Sequence, residues 1–95
     1  MKVYLAGPMR GYPNHNFPAF HTAAHKLRTE GHEVFNPADT GEPYGWKIRD
    51  YMFLDLAWIC NHAEAVALLP GWEKSRGATA EAATAMALGL KVIEL

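Results

Sequence analysis

The stretch AEAVALLPGWEKSRGATAE, residues 63–81, decides the fold, because it joins a buried strand to the opening of a helix. The apolar run Ala63–Leu69 ends at the breaker pair Pro70-Gly71, which is the pattern of a short strand inside a sheet. After a polar loop, Ser75 suits the N-cap of the helix that follows. The stretch therefore predicts one strand–loop–helix unit of an α/β protein.

The rest of the chain repeats this alternation of strands and helices. The predicted strands are Lys2–Ala6, Glu33–Phe35, Ala63–Leu69 and Lys91–Leu95; the predicted helices are 17–30, capped by Asn16, 47–60 and 75–88. Alternation implies parallel pairing and right-handed crossovers. We predict a single domain over residues 1–95, a small three-layer α/β sandwich of flavodoxin-like or Rossmann-like type. Its four-stranded parallel sheet should have the order 2-1-3-4.

This topology also predicts where a ligand would bind. The winding of the chain reverses between strands 1 and 3, and open α/β sheets bind ligands at such a point, beyond the carboxyl ends of the strands. The loops at that point are 7–17 and 70–77. The start of the third helix therefore falls at the predicted site.

The motif at this helix start combines an anion anchor with a carboxylate. Ser75 and Gly77 suit an anion-binding turn, because the first backbone N–H groups of a helix have no partner within it. Glu81 follows Gly77 by four residues, roughly 6 Å along the helix axis. Such a pair could hold the phosphate of a nucleotide at one end and its glycosidic carbon at the other. The alternative is an ordinary Ser-capped helix with a solvated Glu.

The end of the first strand offers three further candidates. Gly7 would let the backbone approach a ligand closely. Arg10 is a fork-shaped donor suited to phosphate, or else a solvated loop charge. Tyr4 lies within the strand and is either a core residue or a hydroxyl with a role in catalysis.

Asp55 is the remaining candidate. It interrupts the apolar run 51–59 of the second helix, on the face shared by Tyr51 and Trp58. A carboxylate among so many hydrophobic residues lies either on a narrow exposed edge or at a site that requires it. Paired with Glu81, it could divide the roles of nucleophile and acid.

Composition excludes several classes of function. A net charge of −1 with interspersed signs argues against binding to a nucleic-acid polymer. No stretch has membrane-spanning length, and no signal peptide is visible. Cys60 is the single cysteine, which excludes an intrachain disulfide and fits the cytoplasm. We expect it to be a small buried hydrophobic residue.

Two tryptophans and two histidines are further candidates for contacts with a base or a metal ion. Trp46 and Trp72 lie in loops near the predicted site, where they could stack on a base or anchor the loops. His21 and His25 are spaced i, i+4, but no third ligand is near, so we expect no metal. A small core with exposed aromatic loops favours a homodimer or larger homo-oligomer.

Together, the segments Tyr4-Leu5-Ala6-Gly7-Pro8 and Ser75-x-Gly77-x-x-x-Glu81, with Asp55 between them, resemble the nucleoside 2-deoxyribosyltransferase family. This family includes the 2′-deoxynucleoside 5′-monophosphate N-glycosidases. The resemblance implies that Glu81 attacks C1′ of the sugar and forms a covalent glycosyl-enzyme. It also implies that Asp55 serves the protonation steps and orients the sugar, and that Tyr4 lines the pocket.

Two positions of the resemblance favour a phosphorylated substrate. Free-nucleoside transferases of the family carry an acidic residue where this chain has Ser75, and the monophosphate hydrolases carry Ser there and an Arg that corresponds to Arg10. The implied function is hydrolysis or transfer at the N-glycosidic bond of a deoxynucleotide, with no metal or organic cofactor. The alternative is a module that binds a nucleotide without turnover.

The chain also departs from the family. It is shorter than typical members, which complete the pocket with C-terminal residues of a neighbouring subunit. The segments Asn36-Pro37-Ala38-Asp39 and 70–74 are more similar to a small branch that is frequent in phages and bacteria.

Overall fold

Four parallel strands form one sheet in the order β2-β1-β3-β4, which confirms the predicted fold class and strand order. The computed structural model describes all residues, 1–95. In chain order the elements are β1 (Lys2–Ala6), α1 (Phe17–Thr29), β2 (Glu33–Phe35), α2 (Ile48–His62), β3 (Ala65–Leu68), α3 (Arg76–Ala87) and β4 (Lys91–Glu94).

β3 begins two residues later than predicted, because α2 extends to His62 and Glu64 joins the two elements. The Lys2 N–H donates to Oε1 of Glu64 at 2.8 Å, and the Glu64 N–H donates to the Lys2 carbonyl at 2.8 Å. Glu64 therefore pairs locally at the amino edge of the sheet, far from the predicted site.

The helices cover the sheet from both sides and create two cores. α1 packs on one face with an entirely apolar cluster (Val3, Leu5, Phe20, Ala24, Leu27, Val34, Ala38, Ala65, Ala67 and Leu69). α2 and α3 pack on the other face (Tyr4, Ala6, Ile59, Val66, Leu68, Ala78, Ala82 and Ala85). Successive residues of a strand point to opposite faces. Tyr4 therefore faces α2 and α3, the helices that carry Asp55 and Glu81.

Two local predictions are wrong. Asn16 does not cap α1, because its backbone is left-handed (φ 60°) and its side chain donates instead to the Pro8 carbonyl. Cys60 is exposed, since it lies on the side of α2 that points away from the sheet. No helix of the chain has both the length and the apolar character that crossing a bilayer requires.

Candidate active site

A cavity of about 560 Å³ opens at the carboxyl edge of the sheet, at the predicted switch point. Its size is in the range usual for small-molecule sites. Every site residue predicted from the sequence lines it: Tyr4, Gly7, Arg10, Asp55, Ser75, Gly77 and Glu81. The fold therefore brings these residues together from β1, α2 and α3, although more than seventy positions separate the first from the last.

Two carboxyl groups and one hydroxyl form the floor of the cavity. Asp55 of α2 is 7% exposed, Glu81 of α3 is 5% exposed, and Tyr4 is completely buried. The Tyr4 hydroxyl donates a hydrogen bond to Oε2 of Glu81 at 2.8 Å. Neither carboxyl has a salt-bridge partner within 4.0 Å. Burying two acids together without a cation is costly unless they share a proton.

The pKa values of the pair reflect this cost. Burial, followed by the negative charge of Asp55, raises the pKa of Glu81 to about 8, although the hydrogen bond from Tyr4 acts in the opposite direction. Burial raises the pKa of Asp55 to about 6, while hydrogen bonds with Tyr4 and Glu81 lower it. Near neutral pH the pair therefore holds about one proton, mainly on Glu81, in a coupled titration.

Tyr4 remains a proton donor over the physiological range. Burial raises its pKa well above the ordinary value, and the charges of Glu81 and Asp55 add to the effect. Its ring stacks on Phe35 at 5.4 Å between centroids and lies 6.4 Å from that of Trp58. These aromatic contacts fix the ring, and the hydroxyl is thereby held against Glu81. Tyr4 is thus both a core residue and part of the site.

The start of α3 presents free backbone donors to the cavity. Oγ of Ser75 accepts from the Ala78 N–H at 3.2 Å, which confirms the predicted N-cap. The N–H groups of Arg76 and Gly77 have no backbone or side-chain acceptor. Both residues line the cavity. A helix N-terminus with unpaired donors in a cavity favours an anion there.

Gly7 has a role in packing that the sequence did not predict. A Cβ at this position would lie 2.7 Å from Cβ of Leu69, closer than carbon atoms approach. Gly7 therefore allows the ends of β1 and β3 to lie side by side. Gly7 also borders the cavity, so its predicted close approach to a ligand stays a prediction.

Three basic residues surround the anion donors: Arg10, Lys74 and Arg76. All are exposed, and none is paired with a carboxylate. Sequence reasoning identified Arg10 but not the other two. The signal available for Lys74 and Arg76 was that they flank Ser75 directly.

The remaining wall of the cavity is apolar, and the sequence did not predict it: Met9, Phe20, Pro37, Ile48, Met52 and Ala78. Trp46 and Trp72 do not line the cavity. Trp46 packs edge-on against Tyr51 at 5.1 Å, and Trp72 Nε1 donates to Oε1 of Glu94 at 3.1 Å. Of the two predicted roles for these tryptophans, the structure supports loop anchoring.

His21 lies outside the cavity as well. Its Nδ1 is 3.2 Å from Nδ2 of Asn36 and 3.8 Å from Oδ1 of Asp39. No three His, Cys, Asp or Glu side chains of the chain come together in a way that could hold a metal ion.

Comparison with known proteins places the chain in a family. The family described as "Domain of unknown function (DUF4406)" matches residues 1–94, and the chain belongs to it. Among solved structures, a 2-desoxiribosyltransferase from Leishmania mexicana is similar, with a TM-score of 0.75 and 16% sequence identity. The match covers 99% of this chain and 63% of that one. No curated protein sequence matches the chain. The resemblance expected from the motifs is thus confirmed at the level of the fold.

Proposed function

We propose that the protein cleaves the N-glycosidic bond of a 2′-deoxynucleoside 5′-monophosphate, passing the sugar to water or to a second base. The observation that carries this proposal is the buried pair of Asp55 and Glu81, which shares about one proton at the floor of a cavity with an anion site at its rim. A deoxyribosyltransferase-like fold agrees with it. The protein would belong to the monophosphate-cleaving group of that fold.

In the first step the shared proton moves from Glu81 to Asp55 as the substrate enters. The Glu81 carboxylate attacks C1′, the bond from C1′ to the base nitrogen breaks, and Asp55 donates its proton to the departing base. The products are a free base and a glycosyl ester on Glu81. The raised pKa values favour one proton on the pair near neutral pH, and the division of roles requires that proton to be on Asp55 rather than on Glu81 when the attack occurs.

In the second step Asp55, now ionised, accepts a proton from water. The resulting hydroxide equivalent attacks C1′, and Glu81 leaves as a carboxylate. The pair again holds one proton, so the cycle balances. In transfer, the N–H of an incoming base takes the place of water. Before the attack and after its release, the Glu81 carboxylate is stabilised by the Tyr4 hydroxyl, which donates to Oε2.

The 5′-phosphate would bind at the start of α3. Its oxygens can accept from the free N–H groups of Arg76 and Gly77 and pair with the Arg10 side chain. The apolar wall, in which Met52 and Ile48 belong to α2, would contact the base. The phosphate is thereby held at one end of the cavity and C1′ near the carboxyl pair.

The decisive experiment incubates the protein with the four common 2′-deoxynucleoside 5′-monophosphates and their free nucleosides, with free base detected by chromatography. Base should be released from at least one monophosphate, and Glu81→Gln should abolish the release. Glu73→Gln is the matched control, because Glu73 is an exposed acid of the adjacent loop that does not line the cavity. Binding without base release in the unmodified protein would replace the enzyme by a nucleotide-binding module.

A covalent intermediate can be sought directly. A 2-fluoro-2-deoxyribosyl substrate slows the second step, so mass spectrometry should find one added sugar on the peptide that contains Glu81. A label elsewhere, or turnover by Glu81→Gln, would remove Glu81 from its role as nucleophile.

We also propose that the protein self-associates. Phe53 is 80% exposed on α2, and an apolar groove continues along the same helix through Met52, Leu56 and Ala57. Exposed apolar surface of this kind is typical of interfaces. Light scattering should give a mass above the 10.6 kDa of one chain; a monomer at micromolar concentration would contradict the proposal.

A further inference from the structure

Three consecutive residues before α1, Asn14, His15 and Asn16, have left-handed backbones, with φ of 53°, 53° and 60°. Single Asn residues adopt this conformation fairly often, but a run of three residues other than glycine is unusual. Such a conformation persists only where the surrounding contacts impose it, and it clusters at functional sites. The contacts of this turn therefore indicate its function.

Two side chains connect the turn to its surroundings. Nδ2 of Asn16 donates to the Pro8 carbonyl at 2.8 Å. Nε2 of His15 lies 2.7 Å from Oε1 of Glu42, on the loop between β2 and α2. The Asn14 side chain has no hydrogen-bond partner in the chain. The turn thus contacts the loop between β2 and α2 through His15, and the beginning of its own loop, which follows β1, through Asn16.

The orientation of the Pro8 carbonyl affects the position of the residues that follow it in the loop. Its peptide group leads directly into Met9 and Arg10, both of which line the cavity. Pro8 is buried and its φ is fixed by the ring, so the orientation of its carbonyl is the main freedom left at this position. Between Met9 and Tyr12 the loop forms one internal backbone bond, from the Tyr12 N–H to the Met9 carbonyl at 3.2 Å.

We propose that Asn16 is a positioning residue: by holding the Pro8 carbonyl it places Arg10 at the anion end of the cavity. The left-handed turn serves to bring the Asn16 amide to that carbonyl, which a regular helix start at Asn16 would not do. The inference deepens the proposed function, on which it rests for the identity of the ligand.

The test compares Asn16→Gly with Asn14→Gly. Glycine accepts a positive φ at both positions, so both variants keep the turn, and only the first loses a side-chain hydrogen bond. Affinity is measured by calorimetry for 2′-deoxyadenosine 5′-monophosphate and for 2′-deoxyadenosine. Hydrogen exchange of the amides of residues 9–12 is measured in the free protein.

We expect Asn16→Gly to weaken binding of the monophosphate by roughly 2- to 10-fold, the effect of one hydrogen bond. Binding of the free nucleoside should not change, because the nucleoside has no phosphate for Arg10 to contact. A role of Asn16 limited to stability would instead affect both ligands equally. Exchange of residues 9–12 should become faster in Asn16→Gly and remain normal in Asn14→Gly.

Equal exchange in both variants, or an equal loss of affinity for both ligands, would overturn the inference. If the unmodified protein binds neither ligand, the proposed function fails for this base. The exchange measurement still decides whether Asn16 positions the loop, so the two failures are distinguishable.

Discussion

The two faces of the sheet are built from the same strands but contain different chemistry. The face under α1 is closed by a large apolar cluster and contains no buried acid; its buried polar side chain is Asn36, which lies 3.2 Å from His21 of α1. The face under α2 and α3 contains Tyr4 within its core and the carboxyl pair at its edge. Because neighbouring residues of β1 point to opposite faces, Leu5 can stabilise the fold while Tyr4 serves the site. The packing of α1 therefore stabilises the fold, whereas the buried acids of the opposite face lower its stability once they ionise.

The largest expected effect on stability is that of truncating Leu5, on the α1 face. Leu5→Ala should lower the free energy of unfolding by about 2–5 kcal/mol, because it leaves a cavity in a closed apolar core. Chemical denaturation measures the loss. Leu88→Ala is the control, since Leu88 is 49% exposed and its truncation should cost less than about 0.5 kcal/mol. An equally small effect for Leu5→Ala would mean that the α1 face is not the main source of stability.

The carboxyl pair, unlike Leu5, should lower the free energy of unfolding as the pH rises. Both pKa values are higher in the folded state than in the unfolded state, so their contribution to stability is greatest below pH 4 and is lost as pH rises through about 6 and about 8. Glu81→Gln removes the larger part of this dependence. Its stability relative to the unmodified protein should rise between pH 5 and pH 9, by at most about 5 kcal/mol at ~1.4 kcal/mol per pH unit.

Thermal unfolding in buffers from pH 5 to pH 9 measures this difference, with Glu73→Gln as the control that should follow the unmodified protein. Parallel curves for Glu81→Gln and the unmodified protein would show that Glu81 does not titrate in this range. Under the proposed function, kcat/KM should also be bell-shaped, with limbs near 6 and 8, since one proton on the pair is required.

Arg10 tests the anion end of the cavity. A charge-assisted hydrogen bond contributes about 1.5–3 kcal/mol, so Arg10→Ala should weaken binding of a deoxynucleoside monophosphate roughly 10- to 100-fold and leave the free nucleoside unaffected. Arg49→Ala is the matched control, because Arg49 is exposed on α2 and does not line the cavity. A better affinity of the unmodified protein for the nucleoside than for the monophosphate would contradict the phosphate site.

Local sequence patterns were sufficient for the fold because each strand is a short segment with apolar residues close to a glycine or proline. Asp55 was located because it interrupts an apolar run, and Glu81 because it follows Ser75 and Gly77 at the start of a helix. Contacts between distant segments were not predictable in this way. Nothing near Phe35 indicates that it stacks on Tyr4, and the need for Gly7 comes from Leu69, sixty-two positions away. Pro37 enters the cavity wall from the loop between β2 and α2, and Ile48 enters it from the first turn of α2.

The smallest expected effects are those of Gly77→Ala, which changes one position at the start of α3. A Cβ there would lie 3.7 Å from Sδ of Met52, an ordinary contact, so the fold accepts alanine at this position. Alanine also favours the helix, and Gly77→Ala should raise the free energy of unfolding by up to about 1 kcal/mol. If a phosphate binds at the free Gly77 N–H, however, the added methyl group crowds it.

We therefore expect Gly77→Ala to be slightly more stable than the unmodified protein and to bind a deoxynucleoside monophosphate several-fold less tightly. Chemical denaturation and calorimetry measure the two effects on one sample. Ala83→Gly is a useful reverse control, because Ala83 is exposed in α3 outside the cavity, where glycine should cost stability without changing affinity. Opposite signs for stability and affinity in Gly77→Ala would mean that the missing side chain at this helix start serves the ligand rather than the fold, whereas an unchanged affinity would remove the Gly77 amide from the phosphate site.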